Sequence, residues 1–423
     1  MKRNTGCNPL DHIHSRRQFL AGTAAIGGGA LVGLGGLTNH VVANTLKSDQ
    51  KRILQVYLQG GVSQLESWDP KPGTLYGGPF QSIATSVPGL RICELLPGTA
   101  QKMHLLSVVR SININTNNHG EGQVFMEKGR SGNNSYPFIG SVVNRYLTPK
   151  NSQLPGFVHI STRGLQDDTA GFLGSRYAQM KLEGIVSPDN LDRQKDLDEQ
   201  QFSRRSDFRI QLNQQFTSRR SKALVDSYDA SFNQAAQLMA RRNLFEQQPE
   251  KQLDRYGRHD FGRYCLMART LLEEGSTCVK ITHHGYDTHA ENFNFHVEQL
   301  GEFDKPFSTL LGDLEESGML ESTLVLIYSE FGRTPKVNHR YGRDHWGTAW
   351  SIALGGCGVQ PGAVIGATND KGTEVVDREV HGGHLFHTYL QALGIDSTAN
   401  HDIEGREIPI GDPAVESIKE LLV

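Results

Sequence analysis

The sequence predicts a layered α/β domain built around a mostly parallel β-sheet. Near-continuous apolar runs that stop at glycine, as residues 53–58 do before Gly60-Gly61, are typical of strands buried on both faces. Segments with helical apolar spacing lie between these runs, and strands that alternate with helices indicate a layered sheet. Glycine supplies 46 of 423 residues, which suits a fold with many tight turns at strand ends.

Strand patterns recur along the chain, and helical patterns separate them. Strands are predicted at residues 53–58, 105–112, 157–160, 277–282, 323–328 and 351–354. Helices are predicted at residues 261–274 and 293–314, and Pro306 is expected to kink or divide the second one. Residues 183–250 are rich in Gln, Arg and Asp and poor in Gly, so we interpret them as a helical insertion with a solvated face.

The N-terminal segment has the pattern of a targeting signal. Ser15-Arg16-Arg17-Gln18-Phe19-Leu20 precedes a glycine-rich apolar run, and Val41-Val42-Ala43 offers a small-residue cleavage site. The adjacent arginines predict a twin-arginine signal peptide over residues 1–43, with the twin-arginine translocase as the partner during export. An ordinary secretory signal or an uncleaved anchor is the alternative. The protein is then expected to be periplasmic or secreted, with residues 50–423 as a single domain.

Charge and cysteine content exclude several classes of protein. The net charge is −3, so the sequence has no basic excess that would indicate a nucleic-acid partner. Cys93, Cys265, Cys278 and Cys357 are scattered through the predicted domain, which is too few and too dispersed for a disulfide scaffold. Buried free thiols are expected, with one bridge as the alternative.

Polar clusters stand next to the predicted strands. The segment His283-His284-Gly285-Tyr286-Asp287-Thr288-His289 follows one strand, and Ser329-Glu330-Phe331-Gly332-Arg333 follows another. Further clusters are residues 117–121, 342–347 and 381–387, and the last of these contains three histidines. Reactive groups of open α/β sheets gather beyond the carboxyl ends of the strands, so these segments are candidates for one site.

Aspartate, glutamate and histidine together form a mixed nitrogen and oxygen ligand set. Such a set suits zinc, manganese or iron better than metals that prefer thiolates, and calcium is a further alternative. The predicted ligands of a divalent metal, with zinc or manganese favoured, are Asp287, His289, Glu330, Asp344 and His345. Asp287 and His289 can face one pocket only if Thr288 faces away from it. His283 and His284 lie closest to the strand and are expected to be structural.

Several long motifs resemble the bacterial domain-of-unknown-function family 1501. They are LQGGVSQLESWDPKPG, HGEGQVFMEKGR, DRYGRHDFGRYCLMARTLLEEG, GYDTHAENF, SEFGRTPKVN and GRDHWG, and the resemblance extends from about residue 50 to the C-terminus. That family is grouped with the alkaline-phosphatase-like superfamily, which includes sulfatases and metal-dependent phosphoglycerate mutases. The resemblance implies a three-layer alkaline-phosphatase-like fold, with helices on both faces of the sheet and a metal site at its carboxyl edge.

The chain departs from that superfamily at the residues that matter most for its chemistry. Lys128-Gly129-Arg130 resembles the sulfatase T-G-R turn, and His119 stands where the comparison puts the nucleophile. Gly60-Gly61 fill the place of the metal-binding aspartate after the first strand. Glu330 and Phe331 replace the aspartate and histidine of an S-D-H-G segment. His119 is therefore a catalytic candidate as a nucleophile or as a ligand.

These observations predict a metal-dependent hydrolase of sulfate or phosphate esters, with a small anionic ester as its substrate. Arg333 or Arg343 is expected to clamp the anion, because a guanidinium matches tetrahedral oxyanions; for each arginine, an ion pair on the surface is the alternative. The alternative function is a non-catalytic periplasmic binding or assembly protein that retains the fold. The absence of a Ser, Thr or Cys at the apparent nucleophile position favours that alternative.

Overall fold

An eight-stranded sheet forms the centre of the protein. The computed structural model describes residues 50–132, 135–162, 170–184, 198–217, 222–245, 248–403 and 405–423. These residues all belong to one compact unit, Lys47–Val423. The signal predicted for residues 1–43 lies outside the described residues.

The strands, in chain order, are β1 (Arg52–Leu58), β2 (Ser82–Ala84), β3 (Arg91–Cys93), β4 (Leu106–Ile112), β5 (Phe157–Ser161), β6 (Met180–Glu183), β7 (Cys278–His283), β8 (Thr323–Tyr328), β9 (Gly332–Arg333), β10 (His345–Trp346), β11 (Trp350–Gly356), β12 (Val364–Ile365), β13 (Ala367–Thr368), β14 (Val375–Asp377), β15 (Asn400–Ile403) and β16 (Arg406–Pro409). The central sheet has the order β12-β4-β11-β8-β1-β7-β5-β6. Four antiparallel pairs, β2 with β3, β9 with β10, β13 with β14 and β15 with β16, lie outside it.

The central sheet is mostly parallel. Strand β1 lies in its middle and pairs in parallel with β7 and β8, and β5 continues the parallel run with β7 and β6. Strand β11 is the exception, since it pairs antiparallel with both β4 and β8. Every residue of β1, β7 and β8 is buried. This agrees with the apolar runs in the sequence, which predicted strands that are covered on both faces.

The helices are α1 (Pro97–Gln101), α2 (His119–Lys128), α3 (Ile139–Leu147), α4 (Glu199–Thr217), α5 (Lys222–Ala240), α6 (Glu250–Tyr256), α7 (Asp260–Glu273), α8 (Asn292–Glu316) and α9 (Gly382–Ala392). No helix in the described part of the chain is both long enough and apolar enough to cross a membrane.

Two hydrophobic cores, one on each face of the sheet, make the fold three-layered. Alternate residues of β1 point to opposite faces, so Leu54 and Val56 join one core and Ile53 and Tyr57 join the other. The first core packs against α7 and α8, and the second packs against α2, α3 and α9. The predicted fold class, α/β with a mostly parallel sheet and helices on both faces, is confirmed.

The predicted strands are all present, with ends that shift by only a residue or two. Strands β6 and β12 were not predicted, because each is short and lacks a continuous apolar run. The expected division at Pro306 is wrong, since α8 continues through this residue to Glu316. Phe303 and Phe307, one turn apart, stack in the core at 4.9 Å between ring centroids, and this packing keeps the segment helical despite the lost amide donor.

Other expectations concern the insertion and the cysteines. Helices α4 and α5 lie within the predicted helical insertion, residues 183–250, and α6 begins at its last residue. The division of the insertion from the rest of the domain stays a prediction. The prediction of buried free thiols is confirmed for Cys93, Cys265, Cys278 and Cys357.

One carboxylate ties three helices together on the outer side of the first core. Asp313 of α8 accepts hydrogen bonds from Arg255 and Tyr256 of α6 and from Arg269 of α7. Burial alone would raise the pKa of Asp313, but the bonds from Arg255 and Tyr256 and the charge of Arg269 outweigh it and lower that pKa. The carboxylate therefore stays ionised and holds two cations and a phenol in place.

Replacing this carboxylate should destabilise the protein more than replacing an exposed one. We expect Asp313→Ala to lower the free energy of unfolding by about 3 kcal/mol, because it leaves two guanidiniums without their shared partner. Glu315→Ala, which removes a partly exposed pair with Lys102, should cost less than about 1 kcal/mol. The measurement is urea unfolding of both variants beside wild type at pH 7. Because the folded-state pKa of Asp313 is depressed, the difference should persist at pH 4 and shrink only below it; equal losses for the two variants would contradict the analysis.

Candidate metal centre

The candidate site lies at the carboxyl ends of three adjacent parallel strands. Gly60-Gly61 follow β1, Asp287 and His289 follow β7, and Glu330 and Arg333 follow β8. The order β8-β1-β7 brings these loops together at one edge of the sheet. His119, the first residue of α2, and His345 of β10 complete the group, so the predicted segments do meet, apart from residues 381–387.

Three histidines of the site are held in the same way through Nδ1. The Nδ1 atom of His119 is 2.6 Å from Glu330 Oε1, and that of His289 is 2.7 Å from Asp344 Oδ1. The Nδ1 atom of His345 is 2.7 Å from the carbonyl oxygen of Asn117. Carboxylate and carbonyl oxygens only accept hydrogen bonds, so each Nδ1 donates its proton. Each ring is thereby oriented with Nε2 directed to the interior of the site.

The Nε2 atoms of the three histidines converge on the carboxylate of Asp287. Those of His289 and His345 are each 3.1 Å from Oδ1, and that of His119 is 3.5 Å from Oδ2. The Nε2 atoms of His289 and His345 are only 2.9 Å apart, so their lone pairs repel unless a cation or a proton lies between them. One donor atom each from His119, Asp287 and His345 lies within 4.8 Å of the others, a spacing that one metal ion can bridge.

Two pKa shifts show how strongly the centre attracts positive charge. Hydrogen bonds to Asp287 and Glu330 raise the pKa of His119 to about 9. Burial would raise the pKa of Asp287, but hydrogen bonds from His119, His345 and Arg333 hold it well below its usual range. Asp287 is therefore held as a carboxylate. The centre needs a cation, which a proton on His119 or a divalent metal can supply.

After β7, Thr288 faces away from the site, as it must if Asp287 and His289 are to face one pocket. Thr288 is buried and donates its hydroxyl to Asn292, while Asp287 and His289 are partly exposed on the other side of the chain. His283 and His284 have hydrogen-bond partners of their own, Tyr286 and Ser161, and neither contacts the centre.

Both carboxylate oxygens of Glu330 already have hydrogen-bond partners within the protein. Its Oε1 is bonded to His119 and to the amide of Gly60, and its Oε2 accepts from the hydroxyls of Tyr57 and Ser329. The side chain is 1% exposed. The environment therefore favours a carboxylate that orients His119, which is the usual partner of a metal-binding imidazole.

Arg333 is buried behind Asp287 and does not reach the open side of the site. Its guanidinium donates to Asp287 Oδ1 at 2.6 Å, to the carbonyl oxygens of Gly60 and Gly61, and to that of Arg343. Its position differs from that expected of an anion clamp, because only one guanidinium hydrogen is left without a partner. Arg333 instead fixes the carboxylate of Asp287.

Arg343 is also buried, in an ion pair rather than at the surface. Its guanidinium forms two bonds to Glu66 and donates to the carbonyl oxygens of Tyr76, Thr334 and Pro335, so every N–H is used. Burial would raise the pKa of Glu66, but Arg343 lowers it. An arginine so fully engaged has no donor left for a substrate.

The late histidine cluster does not join the centre, although it begins beside the end of β4, where Val380 pairs with Ile112. His381 caps α9, and His384 accepts a bond from the His381 backbone amide. His387 is buried against Ser397 and the carbonyl of Asp412. The sequence showed the spacing of these residues but not that their ring nitrogens bond within the cluster and to Ser397 and Asp412. The sequence also could not show that the Asn117 carbonyl orients His345, because every residue type has a backbone carbonyl.

Comparison with known proteins gives one family and a set of distant structures. The family model described as "Protein of unknown function (DUF1501)" matches residues 50–422. None of the curated proteins matches the chain.

The solved structures that are similar to the chain share little sequence with it. The lipoteichoic acid synthase LtaP from Listeria monocytogenes is 9% identical, with a TM-score of 0.39, over 86% of this chain and 75% of that one. The PsFucS1 sulfatase from Pseudoalteromonas sp. is 11% identical, with a TM-score of 0.36, over 85% and 70%. Alkaline phosphatase from the Antarctic bacterium TAB5 is 13% identical, with a TM-score of 0.34, over 82% and 98%.

The site depends on a glycine at position 60. Gly60 has φ +116°, and a Cβ atom there would lie 2.4 Å from the backbone nitrogen of Asp287. We expect Gly60→Ala to lower the free energy of unfolding by about 3 kcal/mol, since strain and a backbone clash add. Gly73→Ala is the matched control, because Gly73 has φ +73° with nothing within 4 Å of its Cβ, and it should cost about 1 kcal/mol. Chemical denaturation measures both, and equal losses would contradict the close approach.

Proposed function

The chain belongs to the DUF1501 family of proteins of unknown function, and we propose that it is a divalent-metal-dependent hydrolase of phosphate or sulfate esters. The observation that carries the proposal is the convergence of three imidazole Nε2 atoms on the carboxylate of Asp287. Groups arranged in this way repel one another unless a cation is present, and they lie where open α/β sheets bind their ligands.

The proposed ligands are His119, His289, His345 and Asp287. Glu330 and Asp344, which the sequence suggested as ligands, are instead proposed to orient His119 and His289 through Nδ1. Their substitution should then weaken metal binding without abolishing it.

Zinc or manganese suits this donor set better than calcium. Three imidazole nitrogens and one carboxylate match the nitrogen and oxygen ligands of zinc sites, and manganese accepts the same set. Calcium takes six to eight oxygen ligands, whereas the groups that converge on this centre are three imidazole nitrogens and one carboxylate.

The protein groups around the proposed ligands prepare the centre for an anionic ester. A bound divalent cation would polarise the ester oxygen and stabilise the charge that develops on it. Arg333 keeps Asp287 ionised and fixed, so the ligand does not have to reorganise during the reaction. The ring of Phe331 packs at 4.7 Å from that of His119 and at 4.5 Å from that of His345, and this apolar contact restricts water on one side.

A second candidate function is a metal-binding protein without catalysis. One observation favours it: His119 stands at the apparent nucleophile position, yet its two ring nitrogens are directed to Glu330 and Asp287. A histidine held in this way is a better ligand than nucleophile. Metal binding without turnover would identify this second function.

Metal content is the first test of the proposal. Protein purified without chelator and supplied with zinc or manganese should contain a stoichiometric amount of metal by elemental analysis, and chelation should lower its melting temperature. Asp287→Ala and His289→Ala should abolish binding while the protein still folds. Glu330→Gln should weaken binding by about 10- to 100-fold, as for other residues that orient a metal ligand.

His339→Ala is the matched control, because His339 is an exposed histidine in the loop next to His345. It should retain the full metal content. The loaded protein should then hydrolyse an aryl phosphate or an aryl sulfate, and Asp287→Ala should not. Wild type without stoichiometric metal would refute the metal centre, whereas metal without turnover would leave the binding function.

We also propose that the protein is exported by the twin-arginine route to the periplasm or beyond. Arg16 and Arg17 support this, with the glycine-rich apolar run that follows them. Replacing both arginines with lysine should leave the precursor in the cytoplasm, as measured by cell fractionation. Export of the doubly substituted protein in a strain that has only the twin-arginine route would contradict the proposal.

A further inference from the structure

We infer that the loop between β9 and β10, residues 334–344, recognises substrates that carry a second anionic group beside the ester. This inference rests on the proposed function and narrows the class of substrate for the same site. We refer to these residues as the hairpin loop.

Both ends of the hairpin loop are anchored in the metal centre. Strands β9 and β10 pair antiparallel, with Arg333 opposite His345. Both of these residues contact Oδ1 of Asp287, at 2.6 and 3.1 Å. A side chain presented by the hairpin loop is therefore carried by a segment that begins and ends at the proposed reaction centre.

Asn338 gives the hairpin loop a defined shape. Its Oδ1 accepts from the amides of Arg340 and Gly342, and its Nδ2 donates to the carbonyl of His289 and to Asp344. The loop is also held by its backbone: the carbonyls of residues 340 and 341 accept hydrogen bonds from the amides of residues 291 and 292. The backbone of the loop is thus ordered without help from its exposed side chains.

Two of those exposed side chains, Lys336 and Arg340, are cationic, and neither has a partner among the described residues. Lys336, His339 and Arg340 are exposed, and none has a side-chain hydrogen bond or ion pair within the part of the chain that the structure describes. The nearby carboxylate of Glu291 accepts from Asn294 instead. Since the whole chain has a net charge of −3, free cations on an ordered loop beside the centre point to an anionic ligand.

Backbone strain gives an independent indication of binding at the same place. Tyr341 has φ +58° and a 68% exposed side chain, and Glu291, beside it, has φ +50°. Residues other than glycine adopt this conformation when surrounding structure enforces it, often at ligand-binding positions. The Tyr341 ring offers an apolar face for the uncharged part of the substrate next to the cations.

Dextran sulfate tests the inference, with neutral dextran as the probe that lacks charge. Wild type should bind dextran sulfate and not dextran, and the affinity should fall as salt is raised. The double variant Lys336→Gln/Arg340→Gln should bind on the order of tenfold more weakly, because two charge-assisted contacts are lost. Lys419→Gln is the control, since Lys419 is 77% exposed, pairs only with Glu416 and lies outside the hairpin loop; it should bind like wild type.

Tyr341→Gly separates binding from folding. Glycine adopts a positive φ without strain, so this variant should melt no lower than wild type while it binds dextran sulfate more weakly. Any of three results would overturn the inference. Wild type does not bind dextran sulfate, the double variant binds it as tightly as wild type, or Lys419→Gln weakens binding as much as the double variant does. The metal content of the double variant should be unchanged. If the protein binds dextran sulfate but neither contains metal nor hydrolyses an ester, the proposed hydrolase function is refuted while anion recognition by the hairpin loop is supported.

Discussion

The buried guanidinium of Arg333 is the interaction on which the carboxyl edge of the sheet depends. It joins the carbonyls of Gly60 and Gly61 after β1, the carboxylate of Asp287 after β7, and the carbonyl of Arg343 in the hairpin loop. Lysine could not replace it, because a single ammonium cannot reach acceptors spread over a planar fork. The charge is tolerated in the interior because Asp287 compensates it and carbonyl oxygens solvate it.

Arg333 also explains the pair of glycines at the end of β1. Both glycines have positive φ, which turns their carbonyls to the guanidinium and lets the chain pass close to the backbone of Asp287. The resemblance to the alkaline-phosphatase-like superfamily placed a metal-binding aspartate at this position. In this chain Gly60 and Gly61 follow that strand, and the carboxylate of the site comes from Asp287 after the neighbouring strand β7.

The sequence predicted the layers of the fold and the segments of the site, but not the division of roles within it. Apolar runs ending at glycine identified the buried strands, and the order of parallel strands then brings Asp287, Glu330 and His345 to one edge. Whether a carboxylate binds a metal or orients a histidine depends on which donors surround it, and those come from distant segments. Glu330 is the example, since Tyr57 and Gly60 already occupy its oxygens. The same limit applies to Arg343, whose partner Glu66 lies far away in the chain.

The charges of the centre suggest why metal binding and catalysis can be separated in this fold. Asp287, Glu330 and Asp344 supply three carboxylates around three imidazoles, and Arg333 compensates only one of them. A cation restores the balance whether or not a reaction follows, so selection for stability alone could retain the ligands. Catalysis also requires that a substrate bind with its ester group next to the cation. The hairpin loop supplies Asp344 to that balance, and it also presents the exposed side chains of Lys336 and Arg340 and a tyrosine with positive φ. The proposed recognition of a substrate differs from a purely structural metal site in these features.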